Sequence, residues 1–194
     1  MRPLVAGLLR DLADQRLDAP AVRHPLGFLY APLHRLPDSV LRIHLWPARP
    51  HWYTLTTSPY HMHAWDLVSY VHTGTVRNTT LVVSPCREDE GYRVFDVHGE
   101  ANVDRLVPSR DTVRISGRGD ETLAAGSVYR LPVGTFHTTE LTGPGGAVTV
   151  AQVTRVPGAR ERVLGPRELG PHRTTRTVCP PGELAAAARA FLDG

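Results

Sequence analysis

Polar and apolar residues alternate with a period of two along most of this chain, after a helical stretch at its start. Residues 2–17 carry Leu4, Leu8, Leu9, Leu12 and Leu17 at roughly helical spacing, which predicts a short amphipathic helix ended by Ala19-Pro20. From about residue 22 the pattern becomes short β-like runs separated by Pro, Gly, Asn and Asp. Residues 41–46 alternate strictly, with Leu41, Ile43 and Leu45 on one face and Arg42, His44 and Trp46 on the other. Further strands are expected at 63–72, 75–83, 91–98, 111–116, 127–131, 136–142 and 147–156. Turns are expected at residues 117–120 and 143–146, the second linking the last two strands. From Pro157 the chain is rich in Pro, Gly and Arg and reads as an arm with a second short helix over residues 183–192. Many short strands with few helices predict an all-β sandwich or barrel. The whole chain, 1–194, then reads as a single domain: a helical arm at 1–21, a β-barrel core at 22–156 and a tail at 157–194.

Composition narrows the picture without redirecting it. The 194 residues suffice for one proper core, and 41% hydrophobic with 21% charged residues is ordinary for a globular protein. No apolar run approaches a membrane span, and the N-terminus lacks the regions of a signal peptide, so no membrane partner and cytoplasmic residence are the expectations. Cys86 and Cys179 are too few for a disulfide framework and read as free thiols. The net charge is only +3, and all 22 basic residues are Arg. Arg clamps carboxylate and phosphate well, but the bias of a GC-rich genome explains the absence of Lys more cheaply. These arginines are scattered rather than striped along one face, which argues against nucleic-acid binding.

The candidate chemistry lies in two segments. His61 and His63 stand at i, i+2, so an extended strand turns both imidazoles to one face. A second segment runs from Gly126 through Pro132 and Gly134 to His137 and offers a third imidazole from a distant strand. Three convergent histidines on a β scaffold make a metal site with open coordination positions.

These segments resemble the paired motifs of the cupin superfamily, small jelly-roll barrels that bind one metal ion inside. His61-Met62-His63 with Gly74 matches the first motif, and Gly126, Pro132, Gly134 and His137 match the second at its full spacing, with Leu141 in place of its Asn. The resemblance covers roughly residues 40–156. It implies an all-β cupin jelly-roll β-barrel with short N- and C-terminal helices, a mononuclear divalent metal on His61, His63 and His137, and pairing into a homodimer. The stretch from Gly74 to Gly126 is long for a cupin and predicts an extra hairpin or loop.

One departure matters. Where most metal cupins place Glu, this chain has Leu67, which by alternation faces inward with His61 and His63. Asp66 then points to the opposite face and reads as a supporting or surface residue rather than a ligand. Three neutral imidazoles leave the ion its full charge, which favours an anionic substrate that chelates directly and leaves room for dioxygen. The site resembles the three-histidine cupins, among them thiol and diketone dioxygenases. That resemblance implies that Arg42 grips a substrate carboxylate, against the alternative of a solvated Arg on an outer face. Cys86 lies too far beyond His63 for the cysteine–tyrosine crosslink of cysteine dioxygenases, and no Tyr follows Tyr129, so that enzyme is disfavoured.

Three functions stay open. The first is an Fe(II)-dependent oxygenase acting on a small anionic substrate, with bacterial secondary metabolism as the context that the composition suggests. The second is a redox-neutral isomerase, decarboxylase or cyclase, with Zn(II), Ni(II) or Fe(II) as Lewis acid and His44 or Tyr70 moving a proton. The third is a non-catalytic cupin that binds a small ligand.

Overall fold

The computed structural model describes residues 1–17, 19–50, 57–87, 90–100, 102–180 and 182–193. Helix α1 (Arg2–Ala13) leads into β1 (Val22–Arg23), β2 (Leu29–Arg35), β3 (Ser39–Trp46), β4 (His61–Met62), β5 (Trp65–Thr73) and β6 (Thr75–Pro85). There follow β7 (Tyr92–Glu100), β8 (Val103–Ala124), β9 (Val128–Leu131), β10 (Phe136–Leu141) and β11 (Ala147–Arg155). The chain ends with β12 (Arg162–Gly165), β13 (His172–Thr175), β14 (Thr177–Val178) and α2 (Glu183–Asp193).

Among the described residues the strands form two seven-stranded antiparallel sheets, β14-β1-β2-β3-β11-β5-β9 and β13-β8-β6-β10-β4-β12-β7. The two sheets make the jelly-roll barrel that the motifs imply. A pairing between β7 and the first half of β8 closes the second sheet into a ring, with Leu81, Val94, Val113, Phe136 and Leu164 packed together in its own small core.

The strict alternation of β3 decides which face goes where. Ile43 and Leu45 turn outward and pack with Leu29, Ala31, Val148 and Val150 beneath the two helices. Arg42, His44 and Trp46 turn inward and line a cavity between the sheets. The apolar stripe of α1 is Val5, Leu9, Leu12 and Ala13, whereas Leu4 is exposed. A helix this short is marginal alone, so its packing on the sheet and on α2 holds it. Arg189 of α2 also donates to the Ala13 carbonyl at 2.5 Å, satisfying one of the orphan acceptors at the end of α1.

Two expectations about the chain's course need correction. Residues 117–120 are not a turn but lie inside β8, a single 22-residue strand. Its register against β6 slips between Val82 and Val83, which pair with Gly117 and Ile115 and leave Ser116 as the extra residue of a bulge. The glycine there accommodates the bulge, since a Cβ on Gly117 would stand 3.3 Å from Val82 Cβ. The segment beyond Pro157 is likewise no free arm. β12 bridges β4 and β7, β13 pairs with β8, and β14 pairs with β1. Gly165 lets the Phe95 ring close over the backbone, where a Cβ would come within 2.6 Å of it. The long stretch between the two motifs contains the expected extra hairpin, formed by β7 and the first half of β8.

Candidate metal centre

Strand pairing brings the two motifs together. His61 of β4 stands directly opposite His137 of β10 in antiparallel register, with ring centroids 4.4 Å apart. His63 follows just beyond β4, its ring 4.9 Å from that of His61 and 4.7 Å from that of His137. The loop before β10 is tied to this corner by the Gly134 amide, which donates to the His63 carbonyl at 3.3 Å. One potential ligand nitrogen from each ring lies within 4.8 Å of the others.

The protons are arranged for coordination. His61 Nδ1 lies 2.9 Å from the Pro59 carbonyl, and His137 Nδ1 lies 2.9 Å from the Thr135 carbonyl. A carbonyl only accepts, so both Nδ1 atoms carry hydrogen and both Nε2 lone pairs are free for a metal. His63 stacks on Trp65 at 4.8 Å and 14°, which fixes its ring plane. Enclosure in the barrel drives all three imidazoles toward the neutral form that a ligand needs, and His137 is pushed down to about 3. The residues present therefore fit a divalent ion.

Asp66 is outside this group. Its side chain is on the exposed face of β5, where Oδ1 accepts the Val133 amide hydrogen at 2.8 Å and pins the loop that leads to His137. Leu67 turns inward, buried against the cavity, as alternation requires. A two-sheet barrel with all three motif glycines in left-handed turns (Gly74 at φ +74°, Gly126 at φ +97°, Gly134 at φ +77°) surrounds a three-histidine cluster. This is the arrangement that the resemblance to the cupin motifs implies.

No family profile and no curated protein matches the chain. Among solved structures, the chain is similar to the hydroxypropylphosphonic acid epoxidase from S. wedmorenis, at 15% identity and a TM-score of 0.41 over 71% of this chain and 55% of that one. It is also similar to KdgF from Halomonas sp. (16% identity, TM-score 0.39, 74% of this chain and 92% of that one). A third is an RmlC-like cupin from Shewanella frigidimarina (13% identity, TM-score 0.40, 73% and 87%). The chain thus spans little more than half the epoxidase.

The other residues singled out from the sequence divide. Arg42 lines the cavity, its guanidinium 5.1 Å from the Trp65 ring and 5.6 Å from the Tyr30 ring, with no hydrogen bond or ion pair among the described residues. His44 also lines it, with Nδ1 3.3 Å from Thr149 Oγ1, and burial pushes its pKa down to about 3. Tyr70 does not belong to the site. It shares the parity of Asp66 and Val68 on β5, and its ring packs outward against the cluster beneath the helices. His24 was not anticipated from the sequence. It sits in the turn before β2, stacks on Phe28 at 4.2 Å and 12°, and joins the cavity wall 6.5 Å from the His61 ring. The only local signal is the Pro25–Gly27 turn, closed by the His24 amide donating to the Phe28 carbonyl at 2.8 Å.

The cavity has a volume of about 270 Å³ and is walled mostly by apolar and aromatic side chains, Phe28, Trp46, Trp65 and Tyr129 among them. That is room for a small ligand beside a metal ion. No helix is long and apolar enough to cross a membrane among the described residues.

Proposed function

We propose that this protein is a mononuclear metal enzyme, an Fe(II)-dependent oxygenase of a small anionic substrate that chelates the metal. The observation that carries the reading is the pairing, in one cavity, of a neutral three-imidazole ligand set with an Arg that has no hydrogen bond or ion pair among the described residues. His61, His63 and His137 would hold the ion, which when bound supplies a Lewis-acidic, redox-active centre with open positions for substrate and dioxygen. Arg42 would orient the substrate by its anionic group, its charge already partly desolvated against Trp65 and Tyr30. Leu67 would keep water and stray carboxylates from the ligand side. The aromatic wall excludes bulk water and thereby strengthens every charge interaction inside.

His44 in the cavity favours a second reading, in which the metal acts only as a Lewis acid and a redox-neutral isomerisation or decarboxylation follows. One experiment separates them. Metal content of protein purified without chelator is measured, and turnover of a panel of small acids is compared with and without dioxygen. Iron-dependent consumption of dioxygen, lost in His61→Ala and His137→Ala, supports the oxygenase. Turnover that persists anaerobically, with Zn(II) as well as Fe(II), replaces it with the redox-neutral reading.

A further inference from the structure

The cavity wall carries polar groups that the ligand set does not use, and their proton positions can be assigned. The Leu26 amide donates to His24 Nδ1 at 3.2 Å, so that nitrogen holds the lone pair and a neutral His24 bears its hydrogen on Nε2. This is the reverse of His61 and His137. At His44 the assignment runs through Thr149. Trp46 Nε1, which can only donate, lies 3.4 Å from Thr149 Oγ1, and that fully buried hydroxyl lies 3.3 Å from His44 Nδ1. That buried hydroxyl has no other acceptor for its hydrogen among the described residues, so it donates to Nδ1 and leaves His44 protonated on Nε2. Neither Nε2 has a hydrogen-bond partner among the described residues. Arg42 is the third unused donor.

The carboxylates on the same wall are gathered around Arg176. Asp104 accepts two hydrogen bonds from Arg176, both at 2.6 Å, and Glu161 lies 4.0 Å from the same guanidinium. These are the only carboxylates among the described residues of the cavity. A ligand ammonium beside His24, His44 and Arg42 would set donor against donor, and both carboxylates of the wall lie beside the Arg176 guanidinium. A buried polar group left unpaired in this way is rejected strongly.

We propose that the cavity selects 2-hydroxy or 2-oxo acids over the corresponding 2-amino acids, with the carboxylate on Arg42 and the remaining oxygens accepting from His24 and His44. This names the chemical class of the anionic ligand and rests on the metal-site reading given above. The metal does not create the preference, because a nitrogen ligand suits these ions at least as well as a hydroxyl oxygen. The discrimination comes from the wall.

The test is calorimetric titration of Zn(II)-loaded protein, its zinc content measured first, with four matched pairs: lactate and alanine, malate and aspartate, 2-hydroxyglutarate and glutamate, phenyllactate and phenylalanine. At least one hydroxy acid should bind ten times more tightly than its amino partner. His24→Phe, which keeps the stack on Phe28, should reduce that ratio at least threefold with zinc stoichiometry unchanged. If His24→Phe does not fold, His44→Phe gives the same readout at the second donor. A ratio below ten in every pair, a ratio that survives loss of the donor, or a panel in which no hydroxy acid binds would overturn the proposal. A chain that takes up no zinc contradicts the metal reading instead, and the preference, measured on the metal-free chain, still stands or falls by the tenfold ratio.

Discussion

Replacing His44 by Phe should make the metal-free protein more tolerant of acid, and the size of the effect follows from the site. His44 is nearly sealed from solvent, and burial, with a smaller contribution from Arg42, pushes its pKa down to about 3. In the unfolded chain it titrates near 6.5. Between those values the unfolded chain binds a proton that the folded protein refuses, so stability rises with pH across that interval. The contribution is fully present above 6.5 and is lost as pH falls below it, at about 1.4 kcal/mol per unit. At pH 5.5 the native protein should have lost roughly 1 to 1.5 kcal/mol through this residue alone. Phe cannot take the proton, and it fits a wall that already contains Phe28 and Trp46. The variant also loses the contact with Thr149, so its stability at pH 7.5 can move either way; only the change with pH is diagnostic. Urea unfolding in the presence of chelator, at steps from pH 7.5 to 5.5, measures it. The other buried histidines titrate equally in both proteins and cancel in the difference. Parallel stability curves for the two proteins would refute the argument, because they would mean that His44 takes up its proton in the folded state as it does in water.

Asp66→Asn should leave metal stoichiometry unchanged and cost little, since the amide oxygen can still accept from Val133; Asp66→Ala should cost about 1 kcal/mol in urea unfolding. Loss of the metal in Asp66→Asn, read by elemental analysis, would make Asp66 a ligand after all. Gly74→Ala should cost at least 2–3 kcal/mol or prevent folding, because φ is +74° and a Cβ would lie 2.2 Å from the Gly146 carbonyl oxygen. A variant with native thermal stability would refute that. Zinc at a hundredfold excess over its Kd should stabilise the protein by about 3 kcal/mol, reversed by chelator and absent in His137→Ala.

What could be read from the sequence was whatever short-range spacing encodes. The two histidine segments gave the cluster because i, i+2 spacing and a Pro-x-Gly turn are local, and the register that sets His61 opposite His137 follows from the fold they imply. The alternation of residues 41–46 correctly separated Arg42 and His44 from Ile43, although only the structure shows that the apolar face lies outside, under two helices. The same parity that turned Asp66 away from the ions also turns Tyr70 away, and applying it consistently would have removed Tyr70 from the site. Gly117 and Gly119 suggested a turn because a bulge in a long strand uses the same residue type as a turn. β12 escaped notice because four residues between Pro-rich stretches have no period of their own; their place is set by the gap between β4 and β7. His24 was invisible for a related reason, its role depending on a backbone amide two residues away and on a ring that folds back over it.

The substitution of Leu67 for the usual motif carboxylate and the solitary charge of Arg42 are two sides of one electrostatic arrangement. A glutamate at position 67 would cancel one unit of the ion's charge and lie on the wall shared with Arg42, giving that guanidinium an internal partner. With Leu67 there, no carboxylate touches Arg42 or joins the histidine cluster among the described residues. Two unit charges 4 Å apart interact by about 4 kcal/mol at the effective dielectric of a partly buried site. An anionic ligand that touches both the metal and Arg42 gains from each, a neutral one from neither, and a cationic one is opposed by both. Asp104 and Glu161 are paired with Arg176, which offsets part of their charge, and Glu161 also acts on Arg42 without touching it. On the proposed reading, selectivity for an anion comes from Leu67 standing where a carboxylate would, and the hydrogens on His24 and His44 would then decide which atoms that anion presents.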